Sequence, residues 1–109
     1  MHYKRGDIIL IKFPFTNLQQ AKKRPVLVIK DENETGDFLC LQITSKDTQR
    51  ALIKVTIQDL KESDLKLLSF VKYDKCFTLN SEIVDKKLTA VNDAFMDKLK
   101  ILFCEELFV

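Results

Sequence analysis

Lys22, Lys23 and Arg24 are three consecutive cations set directly before Pro25 and the apolar run Val26-Leu27-Val28-Ile29. The proline biases Arg24 toward extended backbone. A guanidinium offers two parallel donors that match phosphate oxygens, a geometry that lysine lacks. These cations belong to a wider imbalance. From Met1 to Pro25 the chain carries Lys4, Arg5, Lys12, Lys22, Lys23 and Arg24 against Asp7 alone, a net +5, while the remainder carries twelve cations and fifteen carboxylates, a net −3. The asymmetry points to a polyanion site built from the N-terminal quarter, although a solvated basic face accounts for the charge equally well. Thr44 and Ser45 close an alternating stretch, and a hydroxyl both donates and accepts. Lys72 and Asp74 stand two apart in another stretch, so they share one strand face roughly 7 Å apart. On their own they read equally well as a salt bridge.

These side chains have to be held by a small framework. The 109 residues suit one domain, and 46% hydrophobic with 31% charged residues is the balance of a folded globule. Asp7–Phe13 reads as a strand with Ile8 and Leu10 on one face and Ile9, Ile11 and Phe13 on the other, apolar on both, and Pro14 ends it. Pro25–Lys30 is a second strand, and Asp31–Gly36 forms a turn. Asp37–Ser45 alternates Leu39, Leu41 and Ile43 against Phe38, Cys40, Gln42 and Thr44. Ala51–Ile57 is a fourth strand, and Asp59–Leu65 a short helical turn. Ser69–Leu79 places Val71, Tyr73 and Phe77 opposite Phe70, Lys72, Asp74 and Cys76, and Lys87–Val91 is a short sixth strand. Asn92 caps a helix whose Phe95, Leu99, Leu102 and Phe103 recur at helical spacing. The pattern predicts a mainly β, α+β fold: a small bent barrel with a C-terminal helix packed on it.

Several chemistries are excluded. Cys40, Cys76 and Cys104 are too widely spaced for a zinc site and read as buried apolar residues of a reducing compartment. The single histidine, His2, lies at the terminus, which leaves neither a histidine metal cluster nor paired imidazoles. Lys12, Lys30, Lys72 and Lys100 interrupt every apolar run short of the ~20 residues a membrane helix needs. With no signal-peptide pattern at the N-terminus, the expected location is the cytoplasm.

An ordered set of short motifs carries the sequence further: Gly6-Asp7-Ile8, Phe13-Pro14-Phe15, Lys22-Lys23-Arg24-Pro25, Gln42-Ile43-Thr44-Ser45 and Ser69-Phe70-Val71-Lys72-Tyr73-Asp74. In that order and spacing, from Gly6 to about Leu102, the chain resembles the MazF/PemK family, the toxins of type II toxin–antitoxin modules. The resemblance implies an SH3-like or CcdB-like barrel, a homodimer, and cleavage of single-stranded RNA without a metal or other cofactor. It also implies a cognate antitoxin with an acidic, partly disordered tail. The family's catalytic arginine falls on Arg24 and its functional threonine on Thr44, with Ser45 a weaker candidate. Lys72 and Asp74 match an arginine and an aspartate given acid and base roles in some members. Here lysine keeps the charge but loses the fork, and an ordinary aspartate is a weak base at neutral pH. Lys22 and Lys23 are expected to grip the RNA backbone. Phe15 is expected either to stack a base or to fill the barrel rim. Two rival readings share the fold: a CcdB-like toxin that binds gyrase, and an inactive paralogue that only binds RNA or antitoxin.

Overall fold

The computed structural model describes residues 2–13, 22–47, 50–61 and 69–108. Its strands are β1 (Asp7–Phe13), β2 (Lys22–Lys30), β3 (Asp37–Thr44), β4 (Leu52–Val55), β5 (Ser69–Asn80) and β6 (Val84–Ala90), followed by helix α1 (Asp93–Leu107). All neighbours pair antiparallel in one six-stranded sheet, in the order β4-β5-β3-β2-β1-β6. The bent sheet with its helix is an open, barrel-like α+β fold. Among the described residues no helix is long and apolar enough to cross a membrane.

Alternation sorts the apolar residues into two cores. Ile8, Leu27, Leu41, Ile43, Ile53, Val55 and Val71 pack on one face with Val91 and with Phe95 and Leu99 of α1. Ile9, Ile11, Val26, Val28, Phe38 and Cys40 pack on the other, covered by Tyr3, Phe77, Leu79, Ile83 and Val84. β1 is therefore buried on both sides, as its pattern requires.

A short segment after β4 draws the sheet's two sides together. Past the 3₁₀ turn Ile57–Asp59, Leu60 bridges Val91, and the Lys61 N–H donates to the Ala90 carbonyl at 2.7 Å. Asn92 locks this seam to the helix. Its Oδ1 accepts from the Phe95 N–H at 2.9 Å, its Nδ2 donates to the Gln58 carbonyl at 2.9 Å, and its own N–H donates to Asp59 at 2.8 Å. Gly6 does a similar job at the start of β1. Its φ of 97° suits glycine, its N–H donates to Val28, and its carbonyl accepts from Val91, both at 2.8 Å.

The structure departs from the sequence pattern in five places. β2 begins at Lys22, before the proline, and β6 spans Val84–Ala90 rather than Lys87–Val91. The helical turn lies at Ile57–Asp59, and residues 62–65 of the expected turn fall outside the described ones. Phe77 joins the Cys40 face, opposite to expectation, because the register jumps from Leu41/Cys76 to Gln42/Lys72 and leaves Tyr73, Asp74 and Lys75 in a bulge. Finally, Cys40 is buried but Cys76 and Cys104 are exposed.

Replacing Asn92 with alanine removes a helix cap and a tether at once. Asn92→Ala should lower the unfolding free energy by about 1–2 kcal/mol, read from urea midpoints at constant slope. Asn92→Asp, which keeps the cap acceptor, should lose less.

Candidate active site

The face carrying Cys40 turns polar at one end. β2 pairs with β3 through Val28/Cys40 and Val26/Gln42, and there the ladder stops. Pro25, next on β2, has no N–H to give to either neighbour. The same register, continued one step past Pro25, sets Arg24 across from Thr44. Arg24 also stands opposite Ile11 of β1, while Thr44 stands opposite Phe70 and Gln42 opposite Lys72 of β5. By alternation Arg24, Gln42, Thr44, Phe70 and Lys72 share this face. Arg24 is exposed and Thr44 half-buried. Thr44 Oγ1 accepts from the Lys46 N–H at 3.1 Å, which leaves the hydroxyl's own proton to point elsewhere.

Lys72 is buried in the sheet, its side chain 8% exposed. Its Nζ donates to the Arg50 carbonyl at 3.0 Å and lies 2.9 Å from Asp74 Oδ1, an ion pair rather than an aligned hydrogen bond. Asp74 Oδ2 accepts from Arg50 Nη1 at 2.7 Å. Burial of the Asp74 carboxyl opposes ionisation, but Lys72 and Arg50 together outweigh it and hold the pKa below the ordinary carboxylate value. Asp74 is thus a poor proton acceptor. The thiols do not substitute for it: burial first, then neighbouring Cys76, pushes Cys40 up to about 12, and burial raises Cys76.

Of the other expected residues, Lys23 and Ser45 lie apart. Lys23 alternates to the opposite face, where its Nζ lies 3.3 Å from Asp85. Ser45 is exposed in the bend after β3. Lys22 opens β2 opposite Phe13, but its side chain, like all of Phe15, lies outside the described residues. Arg50 and Gln42 are the additions that the sequence did not single out. Arg50 was hidden because its partners, Asp74 and Glu106, are distant in sequence. Gln42, in contrast, sits two residues before Thr44 and was already placed on its face.

A bent antiparallel sheet with a helix packed on one face, its other face polar at one end, makes a small, open, barrel-like domain. The family model described as PemK-like, MazF-like toxin of type II toxin-antitoxin system matches residues 4–107, and the chain belongs to that family. No curated protein matches it in sequence. Among solved structures it is similar to MazF from Deinococcus radiodurans (17% identity, TM-score 0.73, 100% of this chain and 99% of that one). It is also similar to a mycobacterial endoribonuclease in complex with its cognate antitoxin (19%, TM-score 0.74, 96% and 94%). A third is the Mycobacterium tuberculosis toxin MazF-mt6 (15%, TM-score 0.61, 93% and 91%). At these identities the likeness shows a shared fold.

The ionic cluster makes a pH-dependent contribution to stability. Because the folded Asp74 pKa lies below its unfolded value near 4, the contribution is complete above about pH 4 and disappears as pH falls through the folded value. Asp74→Asn should cost roughly 3 kcal/mol at pH 7 by leaving the Lys72 charge unpaired. Urea unfolding from pH 7 to pH 2 should then show the wild type losing more stability than the variant. Parallel curves would show that Asp74 carries no such contribution.

Proposed function

We propose that this toxin is an endoribonuclease that cuts single-stranded RNA by attack of a ribose 2′-hydroxyl on the adjacent phosphate. The products are a 2′,3′-cyclic phosphate and a 5′-hydroxyl. The observation that supports the reading is the β2–β3 register, whose last pair is Val26/Gln42 and which, continued two residues further, would set Arg24 across from Thr44. The Arg24 guanidinium receives two phosphate oxygens and stabilises the charge that grows on the phosphorane. The Thr44 hydroxyl, anchored by Lys46, donates to the same phosphate. Lys72 adds positive charge from within the sheet, and Asp74 serves to hold Lys72 rather than to take the 2′-proton. Charge stabilisation is then the main source of rate.

The same reading supplies partners. The toxin works in the cytoplasm as a homodimer, and its antitoxin lays an acidic segment across the basic face, with charge contacts offsetting the cost of ordering it. A relative's structure with its cognate antitoxin supports this assignment.

Purified toxin should cleave a mixed-sequence single-stranded RNA in excess EDTA, leaving ends mapped as cyclic phosphates. Arg24→Ala should lower kcat/KM by roughly 10²–10³-fold, and Arg24→Lys should recover little of it. The anionic, doubly paired Asp74 favours one rival in particular, an RNA-binding protein without turnover. Measurable RNA affinity with no cleavage by folded toxin would establish that rival instead.

A further inference from the structure

Arg50 touches both members of the Lys72–Asp74 pair. Its carbonyl accepts from Lys72 Nζ at 3.0 Å, and its Nη1 donates to Asp74 Oδ2 at 2.7 Å. Its other terminal nitrogen, Nη2, lies 2.8 Å from Glu106 Oε1, near the C-terminal end of α1. One guanidinium therefore spans a carboxylate in the β5 bulge and a carboxylate on the helix. The backbone is shaped for this. Ala51 sits at φ 59°, a left-handed conformation that is strained for a non-glycine residue. Its carbonyl accepts from the Tyr73 N–H at 3.0 Å, so the strained turn is fastened to the bulge that holds Asp74.

The arrangement bears on the site through Lys72. In the register Lys72 stands opposite Gln42 and one diagonal step from Thr44, and where its ammonium points is set by the two groups that hold it. We infer that Arg50 is a positioning residue of the RNA-cleaving face: anchored by Glu106 of α1, it fixes Asp74 and through it the Lys72 ammonium beside Gln42 and Thr44. The inference rests on the proposed nuclease reading, in which Arg50 itself touches no substrate. Its side chain is 68% exposed, yet both terminal nitrogens are turned to carboxylates of the protein. Such bidentate use of a fork is the geometry that lysine cannot reproduce.

Arg50→Ala keeps the backbone carbonyl and removes only the fork, so the test isolates the guanidinium. In steady-state cleavage of a short RNA, kcat should fall on the order of 10-fold or more through misplacement of the charge, with KM little changed. Arg50→Lys should restore part of kcat, since one ammonium cannot serve both carboxylates. Glu106→Gln, which leaves Arg50 bound to Asp74, should lie between wild type and Arg50→Ala. The second readout is the Asp74 carboxyl titration by NMR. Removing Arg50 leaves Lys72 as its remaining cation, and the transition should move upward. A loss confined to KM would mean that Arg50 binds RNA directly, and a lower unfolding midpoint with unchanged kcat would mean a purely structural role; either overturns the inference. Wild-type protein that cleaves nothing would sink the nuclease reading instead. In that case, affinity for a 2′-deoxy-substituted strand replaces kcat. Unchanged affinity together with an unmoved Asp74 titration in Arg50→Ala would overturn the positioning role as well.

Discussion

A lysine ammonium taken out of water sets the terms for this half of the molecule. Desolvating such a charge costs several kcal/mol unless partners replace its hydration, and Lys72 is buried on an interior strand. One donor goes to the Arg50 carbonyl, and Asp74 supplies an opposite charge 2.9 Å away. Both partners need unusual backbone. Asp74 is delivered by a bulge that breaks the β3–β5 register, and the Arg50 carbonyl is aimed by a turn with Ala51 at positive φ. The one register shift of the β3–β5 ladder thus falls where a buried charge has to be satisfied.

The bulge also explains how one sheet face can be apolar at one end and polar at the other. Below it, Phe77 and Leu79 cover Cys40 and Phe38 in a dry core. Above it, the face carries Gln42, Thr44 and Lys72 in place of aliphatic side chains. A continuous strand would have kept Cys76 on the Cys40 side and turned Phe77 away from it. The extra residues return Phe77 to the core and leave Asp74 beside Lys72. A packing requirement and an electrostatic one are met by the same insertion.

Much of this was legible in the residues. The two-sided alternation of Ile8 through Ile11 and of Phe38 through Ile43 reappears as the two cores. Asn92 caps the helix, and Phe95 and Leu99 are buried beneath it. What escaped has physical causes. Asp85, Lys86 and Lys87 disguise β6, because an edge strand tolerates charge that an interior one does not. The sequence pattern starts the second strand at Pro25, after the three cations, although β2 begins at Lys22. The bulge leaves no mark in composition, so alternation was carried through it. At the site, setting Arg24 across from Thr44 takes an extension of the β2–β3 register, which only the fold supplies. The separation of Lys23 from Arg24 was available from period two alone, since adjacent residues of a strand face opposite ways.

A site whose one carboxylate is held by two cations differs from an acid–base pair in a way that extends to inhibition. On the proposed reading its outward resource is the Arg24 guanidinium, with little proton-transfer capacity behind it. A phosphodiester and an acidic peptide present the same thing to such a surface, paired oxygens bearing negative charge. The chemistry that favours RNA cleavage therefore also favours occlusion by an acidic segment, and both contacts weaken together as salt screens the exposed cation. The buried ions differ. Lys72 and Asp74 are shielded by the sheet, so salt should change what binds the face far more than it changes the pair in its floor.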